Sequence, residues 1–253
     1  MALLQNFWHG SWAAWQIARD LIFPPVCLTC QVELSPPVSR LICEPCARRL
    51  VPTGKASCPR CGAYLEVPLF DGVDCRDCRD AKFAFERVVA LGSYEGLLRD
   101  AILRCKSAHE FPLVHALGQL FVDSRREELR AIPYQVVVPI PMHWWRRWRR
   151  GINAPEHLAQ ALAAVVQAPV GHGLVRKRPT KPQGELSARQ RRLNLRGAFA
   201  FARGVNYAGA TVLLVDDILT SGSTCHQAAK LLLAGGAARV DVAVLARAFF
   251  SQT

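Results

Sequence analysis

TVLLVDDILTSGST, residues 211–224, is the most informative sequence pattern in this chain. An apolar run ends in two carboxylates, Asp216 and Asp217, and a hydroxyl-rich turn then leads into a helical pattern. In open α/β sheets, ligands bind beyond the carboxyl ends of the strands, and a turn that enters a helix offers free N–H groups to an anion. The order of strand, acids, turn and helix therefore predicts a site for a phosphorylated ribose.

The residues of the turn suit a phosphate, and the two acids suit the vicinal hydroxyls of a ribose, with or without a bridging Mg²⁺. The alternative is an ordinary buried strand, followed by an Asp-rich turn and a Ser/Thr cap on the next helix. The expected phosphate-binding residues are Thr220, Ser221, Gly222, Ser223 and Thr224.

Positive charge is concentrated in one region of the chain. The 253 residues carry a formal charge of +12, and about half of the positions are hydrophobic, enough for one domain with a smaller appendage. Residues 136–203 hold 13 Lys/Arg against 2 Asp/Glu, whereas the remainder is nearly balanced. This surplus predicts a phosphate-rich partner, either a pyrophosphate ligand or nucleic acid.

Eight of the ten cysteines form four C-x-x-C pairs. Such knuckles place two thiolates side by side, and two knuckles complete a tetrahedral zinc shell. Sequential pairing into two structural zinc sites is our expectation; interleaved pairing and disulfides are the alternatives. The expected first site is Cys27, Cys30, Cys43 and Cys46, and the second is Cys58, Cys61, Cys75 and Cys78.

The pattern divides the chain into three parts. Residues 1–24 are predicted to form an amphipathic helix, residues 25–82 a double zinc-ribbon module, and residues 83–253 an α/β domain. No apolar run is long enough to span a bilayer, and the N-terminal segment lacks the basic leader of a signal peptide. A reducing, cytoplasmic location is therefore expected.

Buried apolar runs and helical periodicity predict alternating strands and helices after residue 85. The predicted strands are Val88–Leu91, Gln135–Pro139, Thr211–Val215 and Val240–Leu245. The predicted helices are Leu97–Leu103, Leu113–Leu129, Pro155–Val166 and Cys225–Ala234.

A cluster of tryptophans and arginines follows the second predicted strand. Aromatic rings that alternate with guanidinium groups are typical of sites for single-stranded nucleic acid, because bases stack on the rings and phosphates meet the cations. The alternative is that the tryptophans pack into the core or onto the zinc module, while the arginines are solvated or bind pyrophosphate. The cluster consists of Trp144, Trp145, Arg146, Arg147, Trp148 and Arg149.

A basic, proline-broken segment runs from Arg176 to Gln183 and continues with arginines as far as Phe199. Its polarity argues against a core strand. It is predicted to be either a mobile flap over the site or a solvated linker.

Residues 211–224 resemble the signature of type I phosphoribosyltransferases, which bind 5-phosphoribosyl-1-pyrophosphate (PRPP). Ser221 replaces the usual second threonine of that signature. With the cysteine pairs in front, the chain is similar over nearly its full length to the ComF family of competence-associated proteins, also described as the GntX group. Further matches are Phe23-Pro24-Pro25, the Val-Pro-Ile-Pro turn at residues 138–141, Arg150-Gly151-x-Asn153, Gln183, Arg191, Asn194 and Phe199.

The resemblance implies a type I phosphoribosyltransferase-like fold, with a mostly parallel sheet flanked by helices and a zinc-ribbon module in front. It implies that Asp216 and Asp217 face the ribose, that residues 220–224 hold the 5-phosphate, and that Arg150 and Lys106 meet pyrophosphate with Mg²⁺. It also implies a role with single-stranded DNA and other DNA-uptake proteins in competent bacteria. Two stretches depart from the family pattern, Ile152-Asn153-Ala154 and Lys106-Ser107-Ala108-His109.

Two functions follow from these observations. One is a PRPP-binding phosphoribosyltransferase in which no residue presents itself as a dedicated acid or base, so that the catalytic residues are unassigned. The other is a non-catalytic, single-stranded nucleic-acid adaptor with a regulatory or vestigial PRPP pocket.

Overall fold

The computed structural model describes residues 24–35, 38, 40–52, 54, 56–65, 75, 78–79, 81–143, 148, 151–178, 195 and 197–248. The predicted N-terminal helix lies outside these ranges except for Pro24, and so does most of the predicted flap.

The described residues form six strands in two sheets. The strands are β1 Val88–Ser93, β2 Val136–Pro139, β3 Leu174–Arg176, β4 Phe199–Phe201, β5 Thr211–Leu219 and β6 Arg239–Arg247. Four parallel strands make the main sheet in the order β1–β6–β5–β2, and β3 pairs with β4 as an antiparallel hairpin. The predicted α/β class with a parallel sheet is confirmed.

Helices cover both faces of the main sheet. The described α-helices of more than one turn are α1 Glu44–Leu50, α2 Gly96–Arg104, α3 Phe111–Arg130, α4 Ala154–Val166 and α5 Ser223–Ala234. Leu213 and Val215 of β5 pack with α2, α3 and α4 in one apolar cluster, whereas Val212 and Leu214 pack with α5 and the hairpin in another. Since successive strand residues point to opposite faces, a sheet covered on both sides requires the continuous apolar runs seen in this sequence.

The strand that carries the acids is longer than predicted. Its expected end was Val215, but β5 continues through Asp216 and Asp217 to Leu219, because β6 runs beside it as far as Arg247. Helix α5 begins at Ser223, two residues before the predicted start. The connection between the acids and the helix is therefore a short turn at residues 220–222.

The hairpin β3–β4 joins the two ends of the basic segment. The polarity of that segment argued against a core strand, and its two ends, at Arg176 and Phe199, pair with each other in a two-stranded sheet apart from the main one. Phe199 is buried, and the guanidinium of Arg176 lies 5.4 Å from the centre of its ring. Such a strand needs only every second residue to be apolar, because only one of its faces is covered.

The cysteine-rich part docks on the β1 edge of the sheet. Cys46 and Leu50 of α1 belong to the same apolar cluster as Leu91 of β1 and helices α2 and α3. The Tyr64 hydroxyl lies 3.0 Å from the Ala90 carbonyl oxygen and accepts a hydrogen bond of 2.6 Å from Arg125. The first half of the module and the α/β domain therefore share one core.

Among the described residues, no helix combines the length and the apolar character that crossing a membrane would require.

Candidate functional site

The two predicted acids are adjacent near the carboxyl end of β5. Asp216 is buried, and its Oδ2 atom lies 3.9 Å from the Sγ atom of Cys225 on α5. Asp217 is partly exposed; burial raises the pKa of Cys105 to about 12, and the nearby charges of Glu110 and Asp217 add to that rise. The structure brings both carboxylates to one sheet edge and gives them unequal access to solvent.

Burial raises the pKa of Asp216 well above its usual range, and the charge of Asp217 raises it further. The N–H of Asp217, 2.9 Å from Asp216 Oδ1, lowers it only in part. Burial, together with the charge of Asp216, also raises the pKa of the Cys225 thiol. A bound cation or a hydroxyl donor at this edge would favour the ionised form of Asp216.

The turn after β5 presents the N-terminus of α5 at the same edge. Gly222 has a φ of +71°, a left-handed conformation that strains residues with a side chain, and it occupies the helix N-cap. Gly222 has no side chain with which to cap the helix, and the Ser221 and Ser223 hydroxyls lie 2.9 Å apart. The N–H groups at the start of the helix and the positive end of its dipole favour an anion here.

Arg247 holds this turn from the neighbouring strand and was not found from the sequence. Its side chain is buried at the end of β6 and donates from Nη1 to the carbonyl oxygens of Leu219 (3.1 Å), Thr220 (2.7 Å) and Ala248. Its Nε atom has no hydrogen-bond partner among the described residues. The signal in the sequence was a lone arginine that ends a buried apolar strand.

One of the two predicted pyrophosphate residues lies in the described structure. Lys106 follows α2, whereas Arg150 lies outside the described residues. A Cβ atom added at Gly151 would lie 2.9 Å from that of Ala108, so the loop after Lys106 is a neighbour of Gly151 from the Arg150-Gly151-x-Asn153 motif. Asn153 of the same motif is buried, and its Nδ2 atom has no partner among the described residues.

Only one member of the tryptophan and arginine cluster lies within the described residues. The Trp148 side chain is 75% exposed, so the alternative in which this ring packs into the core is wrong. The other five predicted nucleic-acid residues lie outside the described ranges: Trp144, Trp145, Arg146, Arg147 and Arg149.

Each half of the cysteine-rich module gathers its own four thiols. The sulfur atoms of each set lie within 4.8 Å of one another, which confirms sequential pairing and excludes interleaved pairing. The first set is Cys27, Cys30, Cys43 and Cys46, and the second is Cys58, Cys61, Cys75 and Cys78.

The sulfur spacing fits zinc rather than disulfides. The Cys30–Cys43, Cys58–Cys78 and Cys61–Cys75 sulfur pairs are each separated by 3.7 Å. A tetrahedral site with Zn–S bonds of about 2.3 Å has sulfur–sulfur edges of roughly 3.8 Å, whereas a disulfide bond is about 2.05 Å long. All ten cysteines are free, so the disulfide alternative is wrong.

One thiol in each set has a lowered pKa. Burial raises the pKa of Cys27, but backbone N–H groups, led by that of Cys43 at 3.4 Å, outweigh it and bring the pKa to about 6. A hydrogen bond from Cys61 lowers the pKa of Cys58 to about 5, against the opposing effect of burial. These thiols ionise first, and the thiolate is the form that binds metal.

Comparisons with known proteins agree with this architecture. Residues 149–249 match the model of a phosphoribosyl transferase domain, and residues 18–79 match that of a double zinc ribbon domain. Among solved structures, a glutamine PRPP amidotransferase from B. subtilis overlaps 52% of this chain and 25% of its own, at 22% identity and a TM-score of 0.35. That similarity is too low to carry an argument.

Curated relatives match over most of both chains. Competence protein F of Haemophilus influenzae is 32% identical over 197 residues, which cover 76% of this chain and 84% of the relative. The DNA utilization protein YhgH of Escherichia coli (strain K12) is 32% identical over 236 residues, covering 90% and 99%. Competence protein ComFC of Bacillus subtilis (strain 168) is 27% identical over 231 residues, covering 84% and 90%.

The parallel sheet agrees with the match to a phosphoribosyl transferase domain, and the two cysteine tetrads agree with the match to a double zinc ribbon. Two relatives are 32% identical and align over most of their own length. The chain therefore belongs to the family of Competence protein F, ComFC and YhgH.

Proposed function

We propose that this chain binds PRPP with Mg²⁺ at the carboxyl edge of the sheet and acts on single-stranded DNA during competence or DNA uptake. The observation that carries the PRPP site is the meeting of β5 and α5. Two carboxylates lie near the end of the strand, and the N-terminus of α5 follows Leu219 after a turn of three residues. The names of the relatives support the role in DNA uptake, since they are competence and DNA utilization proteins.

Each part of PRPP has a matching group in this proposal. Asp216 and Asp217 accept hydrogen bonds from the ribose hydroxyls, and residues 220–224 donate to the 5-phosphate. Arg150 and Lys106 meet the pyrophosphate. Mg²⁺, which arrives with PRPP, neutralises the phosphate charge.

A catalytic protein of this design would transfer the phosphoribosyl group by displacing pyrophosphate from the anomeric carbon. Positive charge then develops on the ribose ring and negative charge on the leaving pyrophosphate. Carboxylates at the ribose and cations at the pyrophosphate stabilise both, so that electrostatic positioning lowers the barrier without a dedicated acid or base.

The PRPP site is tested by removing charge at the ribose end. Asp216→Asn and Asp217→Asn are each expected to weaken PRPP binding by about tenfold or more, because hydrogen bonds to charged groups contribute about 1.5–3 kcal/mol. Calorimetric titration with PRPP and Mg²⁺ measures the effect. Asp123→Asn is the control, since Asp123 is on α3 and pairs with Arg40 at 3.1 Å. Equal affinity in wild type and all three variants would overturn the site.

The second candidate function is a non-catalytic adaptor for single-stranded DNA. The exposure of the Trp148 ring favours it, because an exposed aromatic next to arginines is a stacking platform for bases. The same surplus of positive charge at residues 136–203 serves the DNA backbone. The two candidates differ in whether PRPP is turned over or only bound.

Trp148→Ala is expected to weaken single-stranded DNA binding by about 1–3 kcal/mol and to leave the salt dependence unchanged, because stacking involves no counterion release. Arg149→Ala should instead reduce the slope of log affinity against log salt by about 0.7 if that arginine contacts a phosphate. Fluorescence anisotropy with an oligothymidylate at several salt concentrations separates the two effects. Unchanged affinity in both variants would remove DNA binding from this surface.

The chain is also proposed to work in the cytoplasm. Its free thiols and its two thiolate metal sites suit a reducing compartment, in which disulfide formation does not compete with zinc binding.

A further inference from the structure

A short segment connects the second cysteine tetrad to the phosphate turn. The N–H of Ala81 donates to the Cys78 carbonyl oxygen at 2.9 Å, and the Arg60 guanidinium donates to the Ala81 carbonyl oxygen at 3.4 Å. Phe83, two residues later, packs against the buried cysteine cluster on one side. On its other side, the same ring packs against the apolar cluster of the α/β domain.

The Phe83 ring lies directly against the backbone of Gly222. A Cβ atom added to Gly222 would lie 2.7 Å from Phe83 Cε1, so no side chain fits between them. The ring is itself held by Phe85, which is fully buried and stacks on it with ring centres 4.6 Å apart. Phe83 thus forms one wall of the turn that carries the phosphate-binding residues.

A second contact ties the same segment to the first turn of α5. The N–H of Ala84 donates to His226 Nδ1 at 3.0 Å, and the N–H of His226 donates to the Gly222 carbonyl oxygen at 2.7 Å. Phe83 therefore contacts the phosphate turn at Gly222, and Ala84 contacts the first turn of α5 at His226. Both contacts are within six residues of Cys78, a ligand of the second tetrad.

We propose that Phe83 is a positioning residue that makes PRPP affinity depend on metal at the second tetrad, Cys58, Cys61, Cys75 and Cys78. The inference rests on the proposed PRPP site. Bound zinc fixes the segment after Cys78, which keeps the Phe83 ring on Gly222 and the helix N–H groups aimed at the 5-phosphate. Loss of the metal releases the segment and leaves the turn less ordered. Part of the PRPP binding free energy is then used to order the turn, so PRPP binds more weakly.

Phe83→Leu tests the contact without touching a metal ligand. Couplings between sites are typically worth 5–150-fold, and we expect PRPP to bind about 5–20-fold more weakly, with two zinc ions retained. Phe201→Leu is the matched control: the Phe201 ring lies against Gly235 at the opposite end of α5, where an added Cβ atom would be 2.5 Å away. It should leave PRPP affinity within twofold of wild type. Equal affinities in Phe83→Leu and Phe201→Leu would overturn the proposal.

A double-mutant cycle shows whether the metal acts through this ring. Cys78→Ser should lose one zinc ion and weaken PRPP binding, and should weaken it much less when Phe83 is already leucine. Additive effects would mean that the metal acts by another route and would contradict the proposal. Zinc content is measured on each variant by elemental analysis.

Amide hydrogen exchange of residues 220–226 gives a readout that needs no ligand. Exchange there should accelerate in Phe83→Leu and Cys78→Ser and not in Phe201→Leu, because only the first two release the turn. If wild type fails to bind PRPP, the proposed function is wrong, and the exchange rates still decide the link between tetrad and turn. If the exchange rates of residues 220–226 are the same in Phe83→Leu as in wild type, the coupling between the second tetrad and the turn is wrong, whichever ligand the site binds.

Discussion

Replacing Cys46 with serine is expected to release one zinc ion per chain and to unfold both the first half of the cysteine module and the helices packed on it. Structural zinc contributes about 10–16 kcal/mol in small zinc modules, which equals or exceeds the total stability of a typical domain. Cys46 is buried in the same apolar cluster as α2 and α3. The loss of stability therefore extends to the α/β domain. Elemental analysis measures the zinc content, and thermal melting monitored by circular dichroism measures the stability.

Cys105→Ala is the control for that prediction. Cys105 is buried in the same cluster and belongs to neither tetrad. We expect this variant to keep two zinc ions and to lose only the stability that a small cavity costs, about 1–2 kcal/mol. If Cys46→Ser keeps two zinc ions, or if its melting temperature equals that of Cys105→Ala, the first tetrad is not a structural zinc site.

Arg247→Met is expected to have the second large effect, on both stability and ligand binding. Methionine keeps much of the length of the side chain and removes the donors to the carbonyl oxygens of Leu219 and Thr220. A buried acceptor left without a donor costs about 1–3 kcal/mol, so the loss of stability should reach about 2–5 kcal/mol. PRPP affinity should fall at least tenfold, because the turn loses its support and a buried positive charge.

Arg239→Met separates the two consequences of that change. Arg239 is at the opposite end of β6 and pairs with Asp241 at 3.0 Å and Glu86 at 3.2 Å. Its loss should also destabilise the fold, because Asp241 is fully buried, yet it should leave PRPP affinity near that of wild type. Chemical denaturation and PRPP titration on both variants give the comparison. If the two lose PRPP affinity equally, Arg247 acts only through general stability.

The sequence predicted those features that depend on local pattern. Apolar runs such as Val212–Val215 revealed the central strands, because a parallel sheet buries both faces of each strand. The C-x-x-C spacing revealed two metal sites, and pairing of neighbouring knuckles was the simplest arrangement, which the structure confirms. In both cases the residues that matter are close in the sequence.

The features that escaped prediction depend on contacts between distant segments. Strand β5 runs on to Leu219 only because β6 continues beside it, and β3 finds β4 across more than twenty intervening residues. Arg247 supports the turn at Thr220 from another strand, and Phe83 reaches Gly222 from the cysteine module. Such pairs follow from tertiary packing, which no local pattern specifies.

The most direct test of a ribose-phosphate site is a competition experiment in which other ligands compete with PRPP for binding to the wild-type, zinc-loaded protein. PRPP is titrated with Mg²⁺ by calorimetry, first alone and then with ribose 5-phosphate or inorganic pyrophosphate present. Because the acids and the turn are proposed to hold the ribose and its 5-phosphate, ribose 5-phosphate should displace PRPP. The absence of PRPP binding, or PRPP binding that pyrophosphate displaces and ribose 5-phosphate does not, would contradict a ribose-phosphate site at this edge of the sheet.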